Sequence, residues 1–106
     1  MNARTYRRRW TAACVPAGIG RLVGDGRIAF FIKDLVVLPE YRHLGIGSMI
    51  LDALIMHVRS RCCEHAYVGL MSTPGKERFY ESKGFIRRPT PELGSGMVRF
   101  VDPAQP

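Results

Sequence analysis

The sequence predicts a mixed α/β domain, its helices packed on a sheet in the order β-β-β-α-β-α-β-β. Three observations carry that expectation. Residues 27–38, rich in β-branched and aromatic side chains, follow the turn signal Gly24-Asp25-Gly26. Ile46, Met49, Ile50, Ala53, Leu54 and Val58 recur at three- and four-residue steps, the apolar face of a helix over residues 45–60. Between the two stands Arg42-His43-Leu44-Gly45-Ile46-Gly47, a glycine-spaced turn.

The elements follow in order. Residues 1–14 have no clear period and read as a basic arm, or as a strand near residues 11–15. Small and apolar residues over 17–23 form a strand that turns at Asp25-Gly26 into a hairpin. The longer half bends near Lys33-Asp34 into another strand, which Pro39 closes. Asp52, Arg59 and Ser60 lie off the apolar face of the helix that follows. Tyr67-Val68-Gly69-Leu70 is a short strand. Pro74-Gly75 opens a second helix over residues 76–83, terminated by Gly84. Phe85-Ile86 begins another strand, Pro89, Pro91 and Gly94 mark a loop, and residues 97–101 form the last strand. A strand–helix–strand unit over residues 35–70 implies a parallel pair joined by a right-handed crossover. The expected division is a basic arm, residues 1–16, and one domain, residues 17–106.

The chain has 106 residues, 46% apolar and 24% charged, with a formal charge of +7. That is enough for one small core. Arg4, Arg7, Arg8 and Arg9 supply four of the seven charges, so the basicity belongs mostly to the arm. Cys14, Cys62 and Cys63 are odd in number and match no metal spacing, so no metal is expected and a reducing, cytoplasmic compartment is. Residues 11–20 are too short and too interrupted for a signal peptide's apolar region. No stretch has the apolar length of a membrane span.

A strand, a glycine-spaced turn and a helix start together form an anion-binding device. The first N–H groups of a helix have no intrahelical acceptor, and the macrodipole adds partial positive charge there. Glycine lets the backbone approach a phosphate without a Cβ in the way. Amides over residues 44–48 would cradle a phosphate, with Arg42 adding charge. The same glycines also serve a bare tight turn, and only the flanking context decides between the two.

That context resembles the GNAT superfamily of acyl-CoA-dependent N-acyltransferases. The first anchor is Asp34-Leu35-Val36-Val37-Leu38-Pro39-Glu40-Tyr41-Arg42-His43-Leu44-Gly45-Ile46-Gly47, similar to a strand ending in V-x-P-x-Y-R followed by an R-x-x-G-x-G pyrophosphate loop. The second is Phe79-Tyr80-Glu81-Ser82-Lys83-Gly84-Phe85, similar to the F-Y-E-x-x-G-F signature. The resemblance covers about residues 17–101. It implies acetyl-CoA as co-substrate, held by the backbone of Leu35, Val36 and Val37 along the pantetheine arm. Arg42, His43, Leu44, Gly45, Ile46, Gly47 and Ser48 would hold the pyrophosphate.

Tyr80 corresponds to the family's general acid, which protonates the departing thiolate. Asp34 is the candidate base or amine-binding residue, against a plain salt bridge with Lys33 or an arginine. Glu40 and the His43 side chain read as solvated and His57 as packing. Cys62 and Cys63 read as inert, since a nucleophilic cysteine needs a His or a cation beside it. Two departures from the family pattern stand out. Ser72-Thr73-Pro74 replaces a cofactor-contacting Asn, and the sixteen residues before the hairpin are too few for the family's first strand and two helices.

The resemblance therefore implies N-acetyl transfer to a small, peptide or protein primary amine by direct attack, with a homodimer closing the shortened acceptor side. A catalytically reduced CoA-binding module is the alternative. A nucleic-acid role for Arg7-Arg8-Arg9-Trp10 is the third reading, with a solvated arm preferred over it. No membrane partner is expected.

Overall fold

The computed structural model describes residues 2–6, 10–15 and 17–104, the first two ranges as backbone alone. The Arg7-Arg8-Arg9 run lies outside the described residues. Cα proximity divides the chain into two units, Met1–Met71 and Ser72–Pro106.

The first unit is a five-stranded sheet in chain order, carrying one long helix. Its strands are β1 (Asn2–Tyr6), β2 (Trp10–Val15), β3 (Gly18–Gly24), β4 (Ala29–Val37) and β5 (Tyr67–Leu70). β1 to β4 are antiparallel neighbours, and β5 joins β4 in parallel after helix α1 (Ile46–Arg61). The β3–β4 hairpin turns where Asp25-Gly26 signalled it. The Asp25 carboxylate accepts N–H bonds from Arg27, Ile28 and Ala29 at 2.8, 2.9 and 3.1 Å. Those amides hold its pKa below the ordinary carboxylate value.

Two expectations about the strands are corrected here. Most of residues 1–16, read as an arm with at most one strand, runs as the paired strands β1 and β2, so four strands precede α1 rather than three. Backbone pairing overrides the weak local preference of an Arg-rich segment. The bend at Lys33-Asp34 does not divide the strand. Arg21 pairs with Asp34 and Leu22 with Ile32, which leaves Lys33 as the extra residue of a β-bulge within one continuous strand.

α1 lies on the face of the sheet that carries the core: Leu22, Phe30, Ile32, Ile50, Leu51, Leu54 and Val58. Gly20 makes this possible, since a Cβ there would stand 2.6 Å from Ile50 Cγ2 and 3.0 Å from Leu54 Cδ1. The predicted helical face needs adjustment, because Met49 is exposed while Leu51, left off it, is fully buried. At the far end of α1, Cys63 N–H donates to the Arg27 carbonyl at 2.8 Å and ties the helix exit to the hairpin. Among the described residues no helix is long and apolar enough to cross a membrane.

The second unit contains helix α2 (Glu77–Ser82) and a long irregular segment. The strands expected at residues 85–86 and 97–101 are absent from it. Phe85 N–H is committed to the end of α2, donating to the Tyr80 carbonyl at 3.1 Å. Residues 88–94 close a turn in which Thr90 Oγ1 accepts from the amides of Glu92 and Leu93. Residues 97–101 have no ladder partner, and Met97, Val98, Phe100 and Val101 stand exposed.

Candidate functional site

The site begins where β4 outruns β5. Pairing between these strands ends at Ile32 and Leu70, while β4 continues five residues further beside β3. Leu38 N–H donates to the Ala17 carbonyl at 2.8 Å. With Gly18 opposite Val37 in the register, that bond turns the N–H and C=O groups of Leu35 and Val37 away from β3. β5 supplies no pairing for them, so among the described residues β4 carries a backbone edge without a strand partner from the bulge to its C-terminus.

The edge leads directly into the glycine-spaced turn. Leu38 and a single 3₁₀ turn, Pro39–Tyr41, reverse the chain, with Tyr41 N–H on the Leu38 carbonyl at 2.9 Å. Arg42 is extended, and His43 takes φ 65°, a left-handed conformation uncommon for a residue with a Cβ. Gly45, the N-cap of α1, takes φ 80° and ψ 10°. A Cβ at Gly45 would meet nothing within 4 Å, so conformation rather than crowding makes glycine fit there.

The start of α1 is bare of the usual neutralising groups. No side chain caps it, and its first turn holds no acid. The first hydrogen bond at this end runs from Met49 N–H to the Gly45 carbonyl, 3.1 Å. Helix geometry then leaves the amides of Ile46, Gly47 and Ser48 for an external acceptor. Arg42, Leu44 and Gly45 around them are exposed. The Arg42 guanidinium lies back along the strand, its Nε 3.5 Å from the Val37 carbonyl, a contact long enough to be weak. Cradle, cation and open edge are thus continuous, and they fit a phosphorylated carrier with an extended amide-bearing arm.

Asp34 sits at the bulge, on the sheet face opposite α1. Its carboxylate accepts from Arg21 NH2 at 2.9 Å, with both side chains a little under half exposed. Of the roles read for Asp34, the salt bridge with an arginine is therefore present. Arg21 is a residue the sequence reading missed. Counting back from the hairpin turn would set Arg21 opposite Lys33, a like-charge pair, and only the bulge brings Asp34 into that position.

Tyr80 belongs to the second unit and is fixed by the end of α2. Gly84 takes φ 94°, and its N–H donates to the Glu81 carbonyl at 3.1 Å, while Phe85 N–H reaches back to the Tyr80 carbonyl. This is a Schellman cap, in which residues at the Tyr80 and Phe85 positions commonly make an apolar contact. The two rings meet edge-on at 5.9 Å, and Phe79 adds a second edge contact at 5.0 Å. Burial raises the Tyr80 pKa above the ordinary phenol value and keeps the hydroxyl protonated. In the same unit Ser72 Oγ donates to the Thr73 carbonyl at 2.9 Å.

Arg27 donates to Cys63 Sγ at 3.1 Å, a cationic neighbour that the sequence did not reveal. The pair lies at the C-terminal end of α1, about 24 Å of helix away from the cradle.

A family model for the acetyltransferase (GNAT) domain matches residues 7–87. The chain belongs to the GNAT acetyltransferase family. Among its relatives, the uncharacterized N-acetyltransferase ycf52 of Pyropia yezoensis is 31% identical over 72 residues, which are 68% of this chain and 40% of that protein. The chloroplastic GCN5-related N-acetyltransferase 1 of Arabidopsis thaliana is 30% identical over 86 residues, 79% of this chain and 42% of that one. The chain therefore spans about two fifths of the length of these curated relatives. Among solved structures, a GNAT-family acetyltransferase of Streptococcus pneumoniae TIGR4 is similar with a TM-score of 0.68 and 31% identity, covering 87% of this chain and 70% of that one.

Proposed function

We propose that the chain is an N-acetyltransferase that moves an acetyl group from acetyl-CoA to a primary amine by direct attack in a ternary complex. The observation that carries this reading is the continuity of an open strand edge with an uncapped helix start. The amides of residues 44–48 bind the pyrophosphate, and Arg42 swings from Val37 to add its charge. Leu35 and Val37 pair with the amides of the pantetheine arm, with Val36 between them. Acetyl-CoA supplies an activated thioester. The amine nitrogen bonds to its carbonyl carbon, the carbon–sulfur bond breaks, and the thiolate takes the Tyr80 proton. Asp34 receives the acceptor's ammonium, and the proton lost from nitrogen passes to it or to water.

Two copies of the chain form the working unit. Support comes from Met97, Val98, Phe100 and Val101, four large apolar side chains exposed within five residues.

The test is thiol release from acetyl-CoA across small amines, peptide N-termini and lysine side chains. Release that requires both substrates, and is lost when a bulky residue replaces Gly45, is the expected result. Thermal stabilisation by CoA with no release for any amine would overturn the reading and leave a CoA-binding module in its place.

A further inference from the structure

We propose that Arg21 and Asp34 together select the acceptor, and that the acceptor is a primary amine that also carries a carboxylate. The inference rests on the acetyl-transfer reading above, in which the open edge of β4 delivers the acyl group to the bulge.

The two residues are a cross-strand pair beside that bulge, joined at 2.9 Å. They share the sheet face opposite α1, where Ile19 and Val36, the pair two register positions along, are both exposed. Arg21 reaches this position with its Nε buried and without a hydrogen-bond partner. Its stem is therefore anchored in the sheet, and the outer end of the guanidinium is what faces Asp34 and solvent. The result is a fixed cation and a fixed anion side by side, both accessible, next to the point where β4 and β5 part.

An arriving ammonium has to compete with Arg21 for the Asp34 carboxylate. An amine with no second charge takes Asp34 and leaves the guanidinium, already short of one partner, without its anion. The guanidinium's outer end is then left to water and loses a charge-assisted hydrogen bond, while Nε stays buried without a partner. An acceptor with a carboxylate replaces both halves of the ion pair. Its ammonium goes to Asp34, and its carboxylate accepts from the guanidinium. The intramolecular salt bridge then acts as a discriminating element, exchanged for two intermolecular ones only by a substrate with both charges. Lys33, exposed at the bulge, adds a second cation on the carboxylate's side of the balance.

The experiment compares amino acids of increasing chain length, each against its own carboxamide, by thiol release from acetyl-CoA. The best acid is expected to exceed its carboxamide in kcat/KM by about tenfold or more, as for a site that leaves buried polar groups unpaired with the wrong substrate. Arg21→Gln is expected to bring that ratio close to one. A wild-type ratio near one, or a ratio that Arg21→Gln leaves intact, overturns the proposal. Should Arg21→Gln fail to fold, the wild-type ratio still decides. The Arg21 Nε–H signal of the wild type gives an independent reading, expected to move on addition of the acid and to stay in place with the carboxamide. If no acid or amide releases thiol, the proposal is overturned, and acetyl transfer itself fails only if peptide N-termini and lysine side chains give no release either. If both release it equally, only the selection by Arg21 and Asp34 fails.

Discussion

Tyr80, the proposed proton donor, inherits its setting from backbone geometry. Its ring is held between Phe79 and Phe85, and its carbonyl is the anchor of the helix cap. Burial favours the neutral phenol, so the hydroxyl stays protonated to a higher pH than for an ordinary tyrosine. Tyr80→Phe keeps both ring contacts and removes the proton. Turnover is expected to fall about 10²-fold with acetyl-CoA affinity retained, measured by single-turnover kinetics beside equilibrium binding. Gly45→Ala tests the proposed phosphate cradle by itself. The new Cβ meets nothing, so its cost is the left-handed backbone, about 1–2 kcal/mol, read from a denaturation midpoint. Loss of acetyl-CoA affinity beyond the fraction unfolded would then report the cradle. The local geometry around both residues was legible in the sequence because their motifs encode it. That around Arg21 was not, since its partner depends on a bulge that shifts the count across the hairpin by one.

Among the elements, α1 and the cap of α2 depend on single glycines for different reasons. At Gly20 the obstacle is space, because the Ile50 and Leu54 side chains it would strike are fully buried. Gly20→Ala is expected to destabilise the first unit by about 1–3 kcal/mol as α1 is pushed off the sheet. At Gly84 the obstacle is conformation, φ 94° with open space around it. Gly84→Ala is expected to cost about 1–2 kcal/mol and to loosen the Phe85 contact on Tyr80, visible as a change in tyrosine fluorescence. The sequence disclosed α1, α2, the hairpin and β5 to within a residue or two, since each has periodicity or a turn residue of its own. Elements that exist only through pairing were harder to read. Residues 2–6 lack a strand-like pattern and residues 11–15 read as a strand only as the alternative to an arm, yet the two pair, while residues 97–101 have such a pattern and do not.

For the whole molecule, the exposed apolar run near the C-terminus and the titration of half-buried His57 make separate predictions. A second copy covering Phe100, Met97 and Val101 gives a solution mass of twice 11.9 kDa by light scattering, and Phe100→Glu returns it to 11.9 kDa. A wild-type monomer at high concentration would remove the dimer. His57 sets an acid limit on stability. Burial, and then Arg61, lowers its pKa below 6.5, so the folded state binds fewer protons than the unfolded chain in that window. The stability is present above pH 6.5 and is lost as pH falls toward the folded value. His57→Gln is expected to flatten the melting temperature between pH 7 and 5.

The extra residue at Lys33 also bears on which length changes the chain can absorb. Removing one residue from a strand ordinarily turns every later side chain over to the wrong face. At Lys33 the opposite holds, because the bulge has already used up that residue: with it deleted, Asp34 and Val36 stay on one face and Leu35 and Val37 on the other. A variant lacking Lys33 is thus expected to fold with a regular β4, having lost the kink where β4 and β5 part. Single-residue deletions stepped through β4 would then show one gap in an otherwise intolerant stretch, a position where shortening the gene spares the fold and strikes only the activity.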